Sequence, residues 1–126
     1  MKGKSILVVE DEQALQEALK LKLEQEGIEV LTASSGEEAL EILKKRRPTL
    51  VSLDILLPKK NGLEVLRTIR EDPALHDLPV VVLSVSGGQE KIKQAFALNV
   101  IDYLVKSDYK IENIVKKIKE ILEKYS

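Results

Sequence analysis

Five short apolar runs set the frame of this chain: SILVV (5–9), IEVLTA (28–33), TLVSLD (49–54), VVVLS (80–84) and DYLVK (102–106). Each is the length of a strand and rich in the β-branched residues that suit a pleated backbone. The segments between them carry a helical period instead, as with Leu15, Ala18, Leu19 and Leu23 in the first and Ile92, Ala95 and Phe96 in the fourth. The last is the clearest: Ile111, Ile114, Val115, Ile118, Ile121, Leu122 and Tyr125 form one apolar stripe, with Lys116, Lys117, Lys119 and Lys124 off it. Strict alternation of strand and helix implies parallel strands joined by right-handed crossovers, hence an α/β sandwich with helices on both faces of the sheet. The second run alternates apolar and polar residues more than the others, which suits a sheet edge.

The connections agree with this frame. Gly27 follows the first helix, Ser35 and Glu38 in SSGEE form a capping box, and Ser86 and Gln89 in SGGQ offer another. Pro48, Pro58, Pro73 and Pro79 all fall between elements. At 126 residues the chain is expected to be one domain, 1–126, with no linker or repeat. A formal net charge of −1 gives no basic excess for nucleic acid, so no direct nucleic-acid partner is expected. The absence of cysteine excludes disulfides, thiolate metal sites and cysteine nucleophiles. With neither a signal-peptide core nor an apolar run long enough to span a membrane, the expected location is the cytoplasm.

The chemistry gathers at strand ends. In open α/β sheets ligands bind beyond the carboxyl ends of the strands, where strand order reverses. The first strand ends in Glu10 and Asp11, the third in Asp54, the fourth in Ser84 and the fifth in Lys106, whereas the second ends in Thr32 and Ala33. If the four contributing strands are contiguous and the second lies outside them, the order is 2-1-3-4-5 and the three acids meet at the switch point. Three converging carboxylates repel one another and call for a positive partner; they are too few for a Ca2+ cage but suit Mg2+. Lys106 supplies a compact cation and Ser84 a hydroxyl donor. Together these are the parts needed to form and hold an acyl phosphate on an aspartate.

Over essentially its whole length the chain resembles a response-regulator receiver domain, most nearly a single-domain one of the chemotaxis-regulator kind with a flavodoxin-like doubly wound (βα)5 fold. The resemblance rests on Glu10-Asp11, on DILLPKKNG with Pro58 and Gly62 after Asp54, on Ser84, and on DYLVK ending in Lys106. It implies a phosphorylation-activated switch of a two-component system or phosphorelay. Asp54 would accept a phosphoryl group from a histidine kinase or a histidine phosphotransfer protein. Glu10, Asp11, Asp54 and the backbone carbonyl of Leu56 would hold Mg2+, Glu10 mostly through water. Ser84 and Lys106 would contact the phosphoryl oxygens, and Tyr103 would be the aromatic switch that follows Ser84 inward. A downstream protein would then bind the face formed by helix 4, strand 5 and helix 5, the domain acting as a monomer or a phosphorylation-dependent homodimer. Such a protein assists its own phosphorylation and slow dephosphorylation rather than turning over as an enzyme, and here it is expected to lack an output domain of its own.

Departures from the family pattern carry their own expectations. Ser107 stands where the family commonly has a proline after a cis bond, and a cis bond to a non-proline costs roughly 2.5–4 kcal/mol. Val85 replaces a small residue and narrows access to the phosphoryl site. Asn99-Val100 replaces a Gly-Ala pair, with Asn able to take the left-handed backbone of a helix C-cap. Leu56 and Ser86 occupy positions that tune hydrolysis of the aspartyl phosphate, and an apolar Leu56 cannot orient water, so slow loss of phosphate is expected.

Plainer readings stand beside these. Acids after a strand also favour a helix N-terminus, Asp54 alone could be a turn residue, Lys106 a solvated lysine, Ser84 a local backbone partner, and Tyr103 a half-buried strand tyrosine. KKRR (44–47) reads as a solvated helix end and His76 as an exposed loop residue. An FMN binder of the same fold class lacks its phosphate cradle here, since Glu10 and Asp11 would repel the anion. An aspartyl-phosphate phosphatase lacks its DxDxT nucleophile. A docking module independent of phosphorylation is the remaining rival.

Overall fold

The computed structural model describes residues 3–57, 61–85 and 88–125. Strands β1 (Ser5–Val9), β2 (Glu29–Ala33), β3 (Leu50–Leu53), β4 (Val80–Ser84) and β5 (Asp102–Val105) form one parallel sheet in the order β2-β1-β3-β4-β5. Helices α1 (Gln13–Gln25), α2 (Gly36–Lys45), α3 (Gly62–Glu71), α4 (Gln89–Ala97) and α5 (Ile111–Glu123) connect and cover it. The expected order is therefore the one found, with β2 at an edge. Each strand lies within the run that predicted it; Ile28, Thr49, Asp54 and Lys106 fall just outside the ladders.

Strand alternation builds two cores. Leu7, Val9, Val51, Leu53, Val80 and Val82 pack with Ala39, Leu43, Leu66 and Ala95 on the side of α2, α3 and α4. Ile6, Val8, Leu50, Val81 and Leu83 point the other way, onto Leu19, Leu23, Ile114, Ile118 and Leu122 of α1 and α5. Central strands buried on both faces read as continuous apolar runs, which is why β1, β3 and β4 lack the alternation seen in β2. Two stripe positions differ from expectation: Phe96 is 45 % and Tyr125 37 % exposed, one on the outer side of α4 and the other past the end of α5.

Caps and turns fix the connections. Ser35 Oγ accepts from Glu38 N–H at 3.1 Å, while the return bond goes from Ser34 N–H to Glu38 Oε1 at 2.7 Å, one residue earlier than the expected box. The helix α4 begins after Gly88, which has no capping side chain, so Gln89 is its first residue rather than the third of a capping box; Ser86 lies outside the described residues. Gly27 (φ 81°) and Asn99 (φ 60°) take the left-handed conformation that ends α1 and α4. None of the described residues has a cis peptide bond; after β5 the chain passes through one 3-10 turn, Lys106–Asp108. The basic run is not simply solvated. Arg46 makes a bidentate pair with Glu29 at 2.7 Å and Arg47 reaches Asp77 at 3.1 Å and the Ala74 carbonyl at 2.9 Å.

Candidate functional site

The sheet order brings the ends of β1 and β3 side by side, and the ladder itself carries the acids into place. One residue past β1, Glu10 N–H donates to Ala33 O of β2 at 2.9 Å; one residue past β3, Asp54 N–H donates to Val9 O at 3.1 Å. Glu10, Asp11 and Asp54 each present a carboxylate oxygen within 4.8 Å of the others, with Glu10 and Asp54 buried and Asp11 exposed. Across the sheet, Ser84 pairs in register with Val105, so Lys106 stands next beyond it. Lys106 Nζ lies 2.7 Å from Glu10 Oε1 and 3.1 Å from Asp54 Oδ2.

Backbone geometry sets the rest of Asp54. Its Oδ1 accepts from Leu56 N–H at 2.9 Å, and the start of α3 is pressed against the chain just after it. Gly62 N–H donates to Ile55 O at 2.7 Å, and a Cβ on Gly62 would collide with the Asp54 carbonyl oxygen and come 2.5 Å from Ile55 Cα. Only glycine permits this approach. Asn61 caps α3, its Oδ1 accepting from Leu63 N–H at 2.7 Å. Pro58 of the same loop lies outside the described residues.

The electrostatics of the cluster are strained. Burial pushes the Asp54 carboxyl above the usual range against the pull of Lys106 and the Leu56 amide, and nearby Asp11 adds to the rise. Burial likewise raises Glu10, opposed by Lys106 and by Glu12 N–H, which donates to Glu10 Oε2 at 3.1 Å. For Lys106, burial lowers the ammonium, but Glu10 and Asp54 outweigh it and leave the group above its ordinary value. Among the described residues, three carboxylates against one lysine leave two formal negative charges unbalanced in the cluster. Moreover Glu10 Oε1 is buried and, among the described residues, has no hydrogen-bond partner beyond its 2.7 Å ion pair with Lys106. A hard divalent cation fits this donor set.

Ser84 is fully buried at the end of β4. Ser84 influences the Tyr103 hydroxyl: burial pushes that phenol up, and the Ser84 side chain beside it pulls it down. The Tyr103 ring is half-buried and packs against the core on the α3 and α4 side. Leu56 (40 %) and Val85 (59 %), which follow Asp54 and Ser84, both stand exposed. His76 is exposed in the α3–β4 connection, its Nδ1 3.0 Å from Pro73 O. Thus the acids, Lys106 and Ser84 lie at the carboxyl edge of the sheet, while Tyr103 sits further back on β5, paired in register with Val82. Sequence reasoning missed two contributors. Gly62 entered only as part of a motif, and Gln16 was passed over although its spacing with Leu19 and Leu23 puts a polar group in the buried stripe of α1.

Comparison with known proteins settles the lineage. Residues 6–119 match the family described as the response regulator receiver domain. The chain belongs to the receiver domain family. This receiver domain is 36% identical over 96% of its length to response regulator RR06 of Streptococcus pneumoniae, of which the match covers 54%. Among solved structures it resembles the Mn2+-bound form of response regulator Rcp1 (33% identity, TM-score 0.81, covering 94% of this chain and 91% of that one). It also resembles the chemotaxis protein CheY4 of Vibrio cholerae (26% identity, TM-score 0.85, covering 94% and 98%). The chain spans about half the length of the curated relatives it matches. Receiver domains are phosphorylation-dependent switches of two-component systems and bind Mg2+ at an acidic pocket. Among the described residues no helix is long and apolar enough to cross a membrane.

Proposed function

We propose that this receiver domain takes a phosphoryl group onto Asp54 from a phosphohistidine, carried by a histidine kinase or a histidine phosphotransfer protein, in a Mg2+-dependent reaction. The observation that carries this reading is the setting of Asp54: a carboxylate held beside Glu10 and Asp11 and 3.1 Å from Lys106. Glu10, Asp11, Asp54 and the Leu56 carbonyl would hold the ion. When bound it would neutralise charge on the acids and on the phosphoryl oxygens.

An Asp54 carboxylate oxygen attacks phosphorus, the P–O bond forms as the P–N bond breaks, and the bonding pair returns to the imidazole nitrogen, which takes up a proton and leaves. Lys106 is already poised between two acids, so its ammonium can turn from the Asp54 carboxylate to the new phosphoryl oxygens without crossing the site. Ser84 would donate its hydroxyl to the same oxygens. As Ser84 is drawn toward them, the half-buried Tyr103 ring near it repacks.

The helix α4 is suited to respond. Ala95 is its one buried residue among those described, and its N-terminus has no capping side chain. An element so lightly held opens at low free energy. The face of α4, β5 and α5 is therefore the surface on which a downstream protein would sense phosphorylation. The domain promotes its own phosphorylation and a slow dephosphorylation, and is not a turnover enzyme.

Incubation with acetyl phosphate and Mg2+, read by intact mass, tests the assignment. Wild type should gain one phosphoryl group and Asp54→Asn none; equal labelling of the variant would show that another residue is the acceptor. A Mg2+ titration with beryllofluoride adds a second readout. Absence of metal-dependent binding would favour a docking module that works without phosphorylation.

A further inference from the structure

We propose that Gln16 is a positioning residue for the acidic site: its buried amide ties the loop carrying Glu10 and Asp11 to the end of β2, so that the metal site is formed before a cation arrives. Gln16 is 6 % exposed and shares the inner face of α1 with Leu19 and Leu23. An apolar side chain of similar volume would fill that place. Instead its Nε2 donates to Glu10 O at 2.9 Å, to Ala33 O at 3.2 Å and to Ser34 Oγ at 3.2 Å. Two protons shared among three acceptors clamp the β1–α1 and β2–α2 loops together at the point where both strands end.

The loop needs such a tie. Helix α1 has no side-chain N-cap, since Glu12 makes no capping bond. Gln16 serves the junction from inside the helix instead: its N–H bonds Glu12 O at 3.0 Å while its side chain holds the Glu10 carbonyl. Meanwhile the Glu10, Asp11 and Asp54 carboxylates, within 4.8 Å of one another, push the loop and the β3 end apart whenever no cation screens them. A neutral amide resists that push without altering the charge of the site, whereas a lysine would compete with the metal and a glutamate would add a fourth acid. Groups that orient metal ligands in this way commonly govern affinity as strongly as the ligands' own geometry, because ordering of the loop is not charged against binding.

The inference rests on the Mg2+ reading above, and the experiment separates the two. Mg2+ is titrated calorimetrically into the full chain as wild type, Gln16→Met and Val115→Ala, and backbone deuterium exchange of residues 10–13 is followed with and without the metal. Gln16→Met should bind Mg2+ roughly tenfold more weakly, and exchange within 10–13 at the Glu10 and Glu12 amides, which are hydrogen-bonded to Ala33 O and Glu10 Oε2, should become faster and strongly metal-dependent. Val115→Ala loosens the α5 packing and should leave both readouts unchanged. Equal affinity and exchange in wild type and Gln16→Met overturns the positioning role while the metal site stands; absence of Mg2+ binding by wild type overturns both. Should Gln16→Met fail to fold, Ser34→Ala removes one acceptor of the same clamp and should weaken Mg2+ binding about twofold, with faster exchange at 10–13; wild-type values there overturn the proposal.

Discussion

Replacing Asp54 by asparagine should make the metal-free protein more stable, although it removes an ion pair. At an effective dielectric of about 20, Lys106 at 3.1 Å attracts Asp54 by about 5 kcal/mol. The Glu10 and Asp11 carboxylates, no more than 4.8 Å away, each repel it by at least about 3.5 kcal/mol on the same scale. Repulsion therefore exceeds attraction by about 2 kcal/mol, and the exposure of Asp11 trims this to about 1–2 kcal/mol. Burial acts in the same direction, since it disfavours the charged Asp54 carboxylate and raises its pKa. Asparagine keeps the Oδ1 that accepts from Leu56 N–H, so the turn after β3 is preserved. For a chain of this length such a gain corresponds to a rise in melting temperature of about 4–8 °C. The assay is calorimetric melting at pH 7 in EDTA and then in Mg2+. In metal the order narrows or inverts, because free Mg2+ at about ten times its Kd gives the wild type about 1.4 kcal/mol that the variant largely loses. A variant that melts below the wild type in EDTA would refute the reasoning: Lys106 would then outweigh the two acids.

Because burial raises Glu10 and Asp54, both take up protons at a higher pH than free carboxyls do. Groups with raised folded pKa values stabilise the fold below their unfolded values and lose that contribution as pH rises through the folded ones. Melting in EDTA should thus fall as pH climbs from about 4.5 toward neutrality, while Mg2+ affinity by calorimetry rises over the same window; opposite slopes would contradict the assigned directions. Gly62→Ala should destabilise by at least about 2 kcal/mol in denaturant melts, since its Cβ meets backbone at Asp54 and Ile55 that cannot step aside. Arg70 donates to the carbonyls of Leu98, His76, Leu78 and Asn99 at 2.7–3.2 Å, stapling the end of α4 to the α3–β4 connection. Arg70→Met should cost about 2–4 kcal/mol in the same melts, and a loss under 0.5 kcal/mol would show the staple to be idle. The exposed Leu56 offers no group to orient water, so the phosphorylated protein should keep its label for many minutes, and Leu56→Asn should shorten that lifetime in a single-turnover decay assay.

Much of this could be read from the chain alone because the signals are local. A run such as VVVLS is a buried strand wherever it sits, since its alternate side chains must satisfy two helical layers. Asn99 ends α4 because few residues other than glycine accept its backbone angle. The conjunction of Glu10-Asp11, Asp54, Ser84 and Lys106 at four strand ends, with nothing comparable at the second, already implied the strand order. Where local signals weakened, the reading slipped. Phe96 looked like core by spacing, yet α4 packs too lightly to bury it. The SGGQ box failed because Gly88, with no side chain, became the residue before α4.

The order of elements and the identity of the acidic cluster followed from the sequence by itself, because periodicity and strand-end polarity need no knowledge of distant partners. Only the tertiary structure decided how the charges meet. Lys106 sits between Glu10 and Asp54 rather than on either alone, Ser84 acts on the Tyr103 hydroxyl, and a glutamine on α1 holds the carbonyls just past β1 and at the end of β2. Apart from the six-residue step from Gln16 to Glu10, those contacts join residues 17 or more positions apart along the chain, and their distances exist only once the sheet has closed and the helices have packed.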